Sequence, residues 1–180
     1  HNFEIIKVNQ NYRNTKEIVD FTNNILRKIR SDDQRQLPIS INRSGQEPKI
    51  ISCQNYQDMI KKIHELILNL RESYQYTNIA LITKSIKESE DLYLALNEQN
   101  TKYSLEIIPD EDSKYTGGVV CLPIELAKGL EFEAAIIVDA SDDRYKKDVL
   151  YDGHLLYVAV TRALHHLSVL SVGKQSEYLN

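Results

Sequence analysis

Short apolar runs, bounded by polar turns and separated by helical patterns, constrain this chain more than any other feature. Runs of four to six residues fall at 49–53, 78–83, 103–108, 119–122, 135–139 and 167–172. Several are apolar at consecutive positions, as in Ala135-Ile136-Ile137-Val138, which suits strands covered by helices on both faces. Their alternation with helices predicts an α/β domain built on a mostly parallel sheet.

The helical segments carry their own signals. Ile18, Phe21, Ile25 and Ile29 share one face of a helix that Asn14 and Glu17 are expected to cap. Tyr56, Met59, Ile60, Ile63, Leu66, Ile67 and Leu70 form a second stripe, expected to be core throughout. Ser85-Ile86-Lys87-Glu88 is a capping-box pattern opening a third helix to about Leu96. A last helix runs through Leu155-Leu156-Tyr157-Val158-Ala159-Val160-Thr161-Arg162-Ala163, with Asp152 as its expected cap. The segment 31–48 is polar, with two prolines and a glycine, and reads as a surface excursion. The charged segments 109–118 and 141–147 are expected to be mobile loops.

Gross properties exclude several classes. One hundred and eighty residues with 42% hydrophobic and 27% charged content suit one soluble globular domain. A net charge of −4 leaves no basic footprint for nucleic acid, so any such contact must be local or shared with another domain. No apolar run approaches the roughly 20 residues needed to cross a membrane, and His1-Asn2-Phe3-Glu4 does not resemble a secretory signal. The missing initiator Met leads us to expect that residues 1–180 are one domain of a longer chain. Cys53 and Cys121 fall in expected strands without metal-ligand spacing, and read as core thiols of a cytoplasmic protein.

Three segments carry chemistry. In Asn11-Tyr12-Arg13-Asn14-Thr15 an arginine stands at a helix start, where the helix dipole prefers negative charge. A nearby anion such as phosphate would offset that, although the pentapeptide alone reads more readily as a surface Tyr-Arg pair capping a helix. Ala127-Lys128-Gly129-Leu130-Glu131-Phe132 precedes a strand, and its glycine permits close backbone approach to a ligand or tight packing. Otherwise it is an exposed turn with a solvated lysine and glutamate. Arg162 ends an apolar helix, where a guanidinium needs an anion, either a phosphate or a nearby acid such as Asp139 or Glu131.

Those three segments, in that order, resemble motifs IV, V and VI of superfamily 1 helicases of the UvrD/Rep type. The resemblance implies a RecA-like fold: a mostly parallel sheet flanked by helices on both faces, the second domain of a P-loop NTPase without its own P-loop. It implies that Tyr12 stacks on adenine, that Arg13 and Arg162 reach the γ-phosphate of ATP as arginine fingers, and that Gly129 and Glu131 line the cleft at the sugar. Lys84 and Lys128 occupy positions that suggest nucleic-acid contact, although Lys84 could equally be a solvated lysine.

Departures from the family pattern narrow the expectation. Neither G-x-x-x-x-G-K-[S/T] nor a Walker B acid pair is present, since Gly173-Lys174-Gln175 and Val138-Asp139-Ala140 do not qualify. The Mg²⁺ ligands and phosphate-binding lysine would therefore come from an N-terminal P-loop RecA-like domain of the same parent chain, and this domain alone should not hydrolyse ATP. The stretch between Arg13 and Lys128 is too short for the large subdomain that UvrD/Rep helicases insert there. Pro123 and Glu125 replace a Thr-x-His that touches single-stranded DNA in those helicases. Pro-Ile-Glu-Leu-Ala-Lys-Gly-Leu-Glu-Phe is similar to the HelD-like branch, whose members bind and recycle bacterial RNA polymerase. The expected functions are thus a DNA helicase or translocase, or an RNA polymerase-recycling ATPase; a degenerate binding domain is a third. His154, His165 and His166 show no metal spacing, and Tyr74-Gln75-Tyr76 reads as a turn or as a base-stacking pair.

Overall fold

The computed structural model describes residues 10–11, 13–30, 37–40, 43–99 and 102–180. In chain order the elements are β1 (Gln10–Asn11), α1 (Lys16–Ile29), β2 (Ile39–Ser40), β3 (Lys49–Cys53), α2 (Tyr56–Glu72), β4 (Asn78–Thr83) and α3 (Ile86–Gln99). They continue with β5 (Leu105–Ile107), β6 (Gly118–Pro123), α4 (Ile124–Ala127), β7 (Phe132–Ile137), α5 (Leu150–Val160) and β8 (Ala163–Val172). Six strands form one sheet in the order β3-β8-β7-β4-β6-β5, and every pairing in it is parallel.

The consecutive apolar runs have the physical cause expected of them. In β4, Ala80 and Ile82 face the core shared with α1, α4 and α5, while Ile79 and Leu81 face the core under α2 and α3. All four are completely buried, so alternate side chains fill two different cores and neither face can be polar. Both cysteines are buried free thiols. Among the described residues no helix is long and apolar enough to cross a membrane.

Several boundaries and caps differ from expectation. The last helix stops at Val160, and Thr161-Arg162 is a turn whose amides bond back to Tyr157 and Ala159. The strand after it begins at Ala163 rather than 167, because Ala163 pairs with Phe132 despite the polar look of His165-His166. β7 correspondingly spans Phe132–Ile137 and not 135–139; the chain leaves the sheet where Asp139 takes a left-handed backbone (φ 52°).

Asn14 does not cap α1. Thr15 holds that position without a side-chain bond, and Glu17 accepts from the Gly45 amide instead. Nor does Asp152 cap α5: it lies inside the first turn, buried, with Val149 at the cap position. The capping box of α3 forms as expected, with Ser85 and Glu88 exchanging side-chain-to-backbone bonds of 3.2 and 3.4 Å. Within the α2 stripe Tyr56 is the exception, standing 44% exposed.

The loop expectations need two corrections. Within 31–48, Ile39–Ser40 pairs in parallel with Gln10–Asn11, while residues 31–36 and 41–42 lie outside the described residues. The 141–147 segment is anchored: Tyr145 is fully buried, and the Asp142 amide donates to the Lys174 carbonyl. Tyr74-Gln75-Tyr76 does close a turn, with Gln75 at φ 57° and the two tyrosine rings stacked at 5.5 Å. Tyr74 also packs edge-on against the buried His166 ring.

Candidate functional site

Parallel neighbours β7 and β8 begin at Phe132 and Ala163, so the residues just before them, Glu131 and Arg162, emerge together at the amino edge of the sheet. The carbonyl of Arg162 accepts from the Phe132 amide at 3.0 Å and locks the two strand starts in register. α1 packs on α5 and on β8, which brings Arg13, three residues before its start, to the same edge. Two guanidiniums and one carboxylate from distant segments thus converge.

Asn11 and Asn14 build the Arg13 loop. Asn11 Oδ1 accepts from the amides of Arg13 and Asn14 at 2.9 and 3.1 Å. Asn14 Nδ2 donates to the carbonyls of Thr161 and Ala163, at 3.3 and 2.5 Å, on either side of Arg162. Asn14 therefore fastens the Arg13 loop to the Arg162 turn. That role was hidden by its resemblance to a helix cap; its signal was the pair of asparagines bracketing Tyr12-Arg13. Tyr12 itself lies outside the described residues.

Arg13 Nη1 lies 2.5 Å from Glu131 Oε1, with the arginine side chain 74% exposed. Arg162 is half-buried and its donors go to neutral acceptors: Nε to the Val158 carbonyl, Nη1 to the Leu130 carbonyl and Nη2 to Thr161 Oγ1. Among the described residues it forms no ion pair with Glu131 or Asp139, the two acids considered for it; Asp139 instead accepts from the Val172 amide. Burial pushes the Arg162 guanidinium down from the usual arginine range, Glu131 pulls it back up, and Arg13 lowers it further. A half-buried cation held by neutral carbonyls beside a second cation is an arrangement that an added anion would stabilise.

Gly129 has φ +82°, and a Cβ there would meet nothing within 4 Å. The glycine is required by backbone conformation and not by tight packing, so the second reason offered for it is corrected. Lys128 beside it is exposed.

Lys84 sits at the opposite, carboxyl edge, where β4 ends. Its ammonium contacts the carbonyl of Arg144 and lies 2.6 Å from Asp152 Oδ1, above the Tyr145 ring. The solvated alternative for Lys84 is therefore corrected: its charge is engaged inside the fold. Pro123 ends the adjacent strand β6, and Glu125 is exposed in the first turn of α4. Among the described residues no group of His, Cys, Asp and Glu could hold a metal ion.

Comparison with known proteins agrees with this architecture. Two family models, both described as the UvrD-like helicase C-terminal domain, match residues 6–111 and 118–170. No curated protein matches the chain. Among solved structures, the chain is similar to the C-terminal domain of a possible DNA helicase from Lactobacillus plantarum WCFS1. The two share 31% identity and a TM-score of 0.75, over 93% of this chain and 91% of that one. Together with the parallel sheet and the convergence of the three motif segments, these matches show that the chain belongs to the UvrD-like helicase C-terminal domain family.

Proposed function

We propose that this domain forms one wall of an interdomain ATP site in a longer helicase or translocase. The observation that carries the reading is the meeting of Arg13, Glu131 and Arg162 at one sheet edge, with Arg162 lacking an anionic hydrogen-bond partner among the described residues. Arg13 and Arg162 would stabilise charge on the γ-phosphate in a loose phosphoryl-transfer transition state, the part arginine fingers play in such reactions. Glu131, released from Arg13, would accept a hydrogen bond from the sugar, and Tyr12 would lie against the base. An N-terminal P-loop domain would supply the phosphate-binding lysine and the Mg²⁺ ligands. Closure of the two domains on ATP and their separation after hydrolysis would drive movement along single-stranded DNA.

A second reading is favoured by one observation at the carboxyl edge. Pro123 and the exposed Glu125 stand where family members carry a DNA-contacting Thr-x-His, and an acid there repels phosphodiesters. On this reading the parent is an RNA polymerase-recycling ATPase of HelD type. Steady-state ATPase of the full-length parent, alone, with single-stranded DNA and with bacterial RNA polymerase, separates the two. Strong stimulation by DNA that fades with salt supports a translocase; stimulation by polymerase with little DNA response supports recycling. Absence of ATPase under all three conditions would overturn the motor reading.

A further inference from the structure

Where the chain leaves β7 at the carboxyl edge, α2 and α3 diverge over a groove of about 490 Å³. Its floor is apolar, formed by Met59, Leu92, Ala95 and Val138. Leu94, 60% exposed, and Tyr56, 44% exposed, also line it and extend its apolar surface toward solvent. The Glu88, Asp91, Leu92, Ala95 and Glu98 positions recur at helical spacing, so about three turns of one α3 face line the groove.

The charge around this apolar floor is one-sided. Among the described residues, carboxylates of Glu88, Asp91, Glu98 and Asp139 line it against a single cation, Arg144. Arg144 is already paired with Glu88, and Asp91 is met from outside the groove by the exposed Lys87. Asp139 Oδ1 accepts from the Val172 amide and keeps a second oxygen. Arg144 and Glu88 therefore neutralise each other, as do Lys87 and Asp91, and the uncompensated charge at the groove is the negative charge of Glu98 and Asp139.

We infer that the groove between α2 and α3 is a docking site for a helix of a partner protein, carrying aliphatic anchors flanked by lysine or arginine. An apolar floor with three turns of α3 along one wall and the first turn of α2 on the other accepts a helix by its i, i+3, i+4 and i+7 side chains, and the unpaired acids select basic flanks. A partner with acidic flanks is rejected by the same acids. The groove is on the α2/α3 side of the sheet and takes in Val138, Asp139 and Arg144 beyond the end of β7, and neither Arg13, Glu131 nor Arg162 lines it. Its occupation is thus compatible with a nucleotide at those three residues.

The test uses this domain and two fluorescent helical peptides of about four turns, one of leucine and lysine and one of leucine and glutamate with the same apolar face. The groove predicts saturable binding of the lysine peptide, read by anisotropy, and none of the glutamate peptide. Leu94→Glu and the pair Asp91→Lys/Glu98→Lys should each weaken it at least about tenfold with unchanged thermal melting. The charge-matched control Asp20→Lys/Glu47→Lys, which lies away from the groove, should leave affinity within about twofold. Equal weakening by the control would overturn the proposal, since general attraction to an acidic protein then explains the binding. So would failure of the lysine peptide to bind, or self-association of the domain that Leu94→Glu abolishes, which would make a second copy the occupant.

Discussion

Arg13 and Glu131 lie 118 positions apart in the chain, yet the arginine Nη1 and a glutamate Oε1 meet at 2.5 Å on the amino edge of the sheet. The pair is solvent-facing, so its contribution to stability is small even though its geometry is close. On the proposed function, a phosphate that takes Arg13 would compete with Glu131, and the carboxylate would be set free as it does so.

Arg13→Ala and Glu131→Gln should therefore change unfolding stability by less than about 1 kcal/mol. Arg13→Ala should weaken ATP binding by the full-length parent about tenfold, equivalent to about 1.4 kcal/mol. Urea denaturation of the domain and nucleotide titration of the parent measure the two quantities. A large stability loss with unchanged nucleotide affinity would make the pair a structural clasp.

Arg162 should behave differently, because it anchors the turn between α5 and β8 as well as presenting charge. Arg162→Ala removes three hydrogen bonds from a half-buried cation and should cost about 2 kcal/mol. The domain should remain folded by circular dichroism while ATP turnover by the parent disappears. Arg162→Lys keeps a charge but cannot reproduce the planar fork, so turnover should still fall by about a hundredfold or more. Turnover surviving either change would remove the finger assignment.

Lys84 and Asp152 tie the β4–α3 turn to the first turn of α5. Asp152, buried, accepts from the Lys84 ammonium and from the Lys146 amide. Asp152→Ala leaves a partly buried ammonium without its carboxylate and should cost about 3 kcal/mol. The double change Lys84→Met/Asp152→Leu should cost clearly less than the sum of Lys84→Met and Asp152→Leu measured singly. Additive losses in urea unfolding would show that the two side chains act independently.

Acid sensitivity should centre on His166. Burial of its ring, with a smaller contribution from Lys49, lowers its pKa from 6.5 to about 4. Nδ1 is also buried without a hydrogen-bond partner among the described residues. The unfolded chain takes up this proton at a higher pH than the folded one does. Stability is therefore fully present above about 6.5 and is lost as pH falls toward about 4. His166→Leu should flatten that part of the stability–pH curve; an unchanged slope would assign the acid sensitivity to other groups.

The double burial of β4 and β7 was legible in the sequence because a strand covered on both faces has no polar phase, and consecutive apolar residues say so directly. The capping box at Ser85 was legible because it is closed within four residues. The start of β8 was not, since His165 and His166 interrupt the apolar run and only pairing with β7 reveals that they are strand. Asn14 was misread for a related reason: a local cap and a long-range clasp draw on the same amide side chain, and nothing nearby in the sequence distinguishes them.

The sequence by itself determined the α/β class, the two-sided core and the identity of the three motif segments, because periodicity and short-range residue order are local properties. Only the tertiary structure decided that Arg13 pairs with Glu131, that Arg162 rests on neutral carbonyls and that Lys84 is held by a buried Asp152. Each of those outcomes depends on which strands and helices lie side by side. Parallel strands joined by helical crossovers leave that neighbour order unwritten in any local stretch of chain.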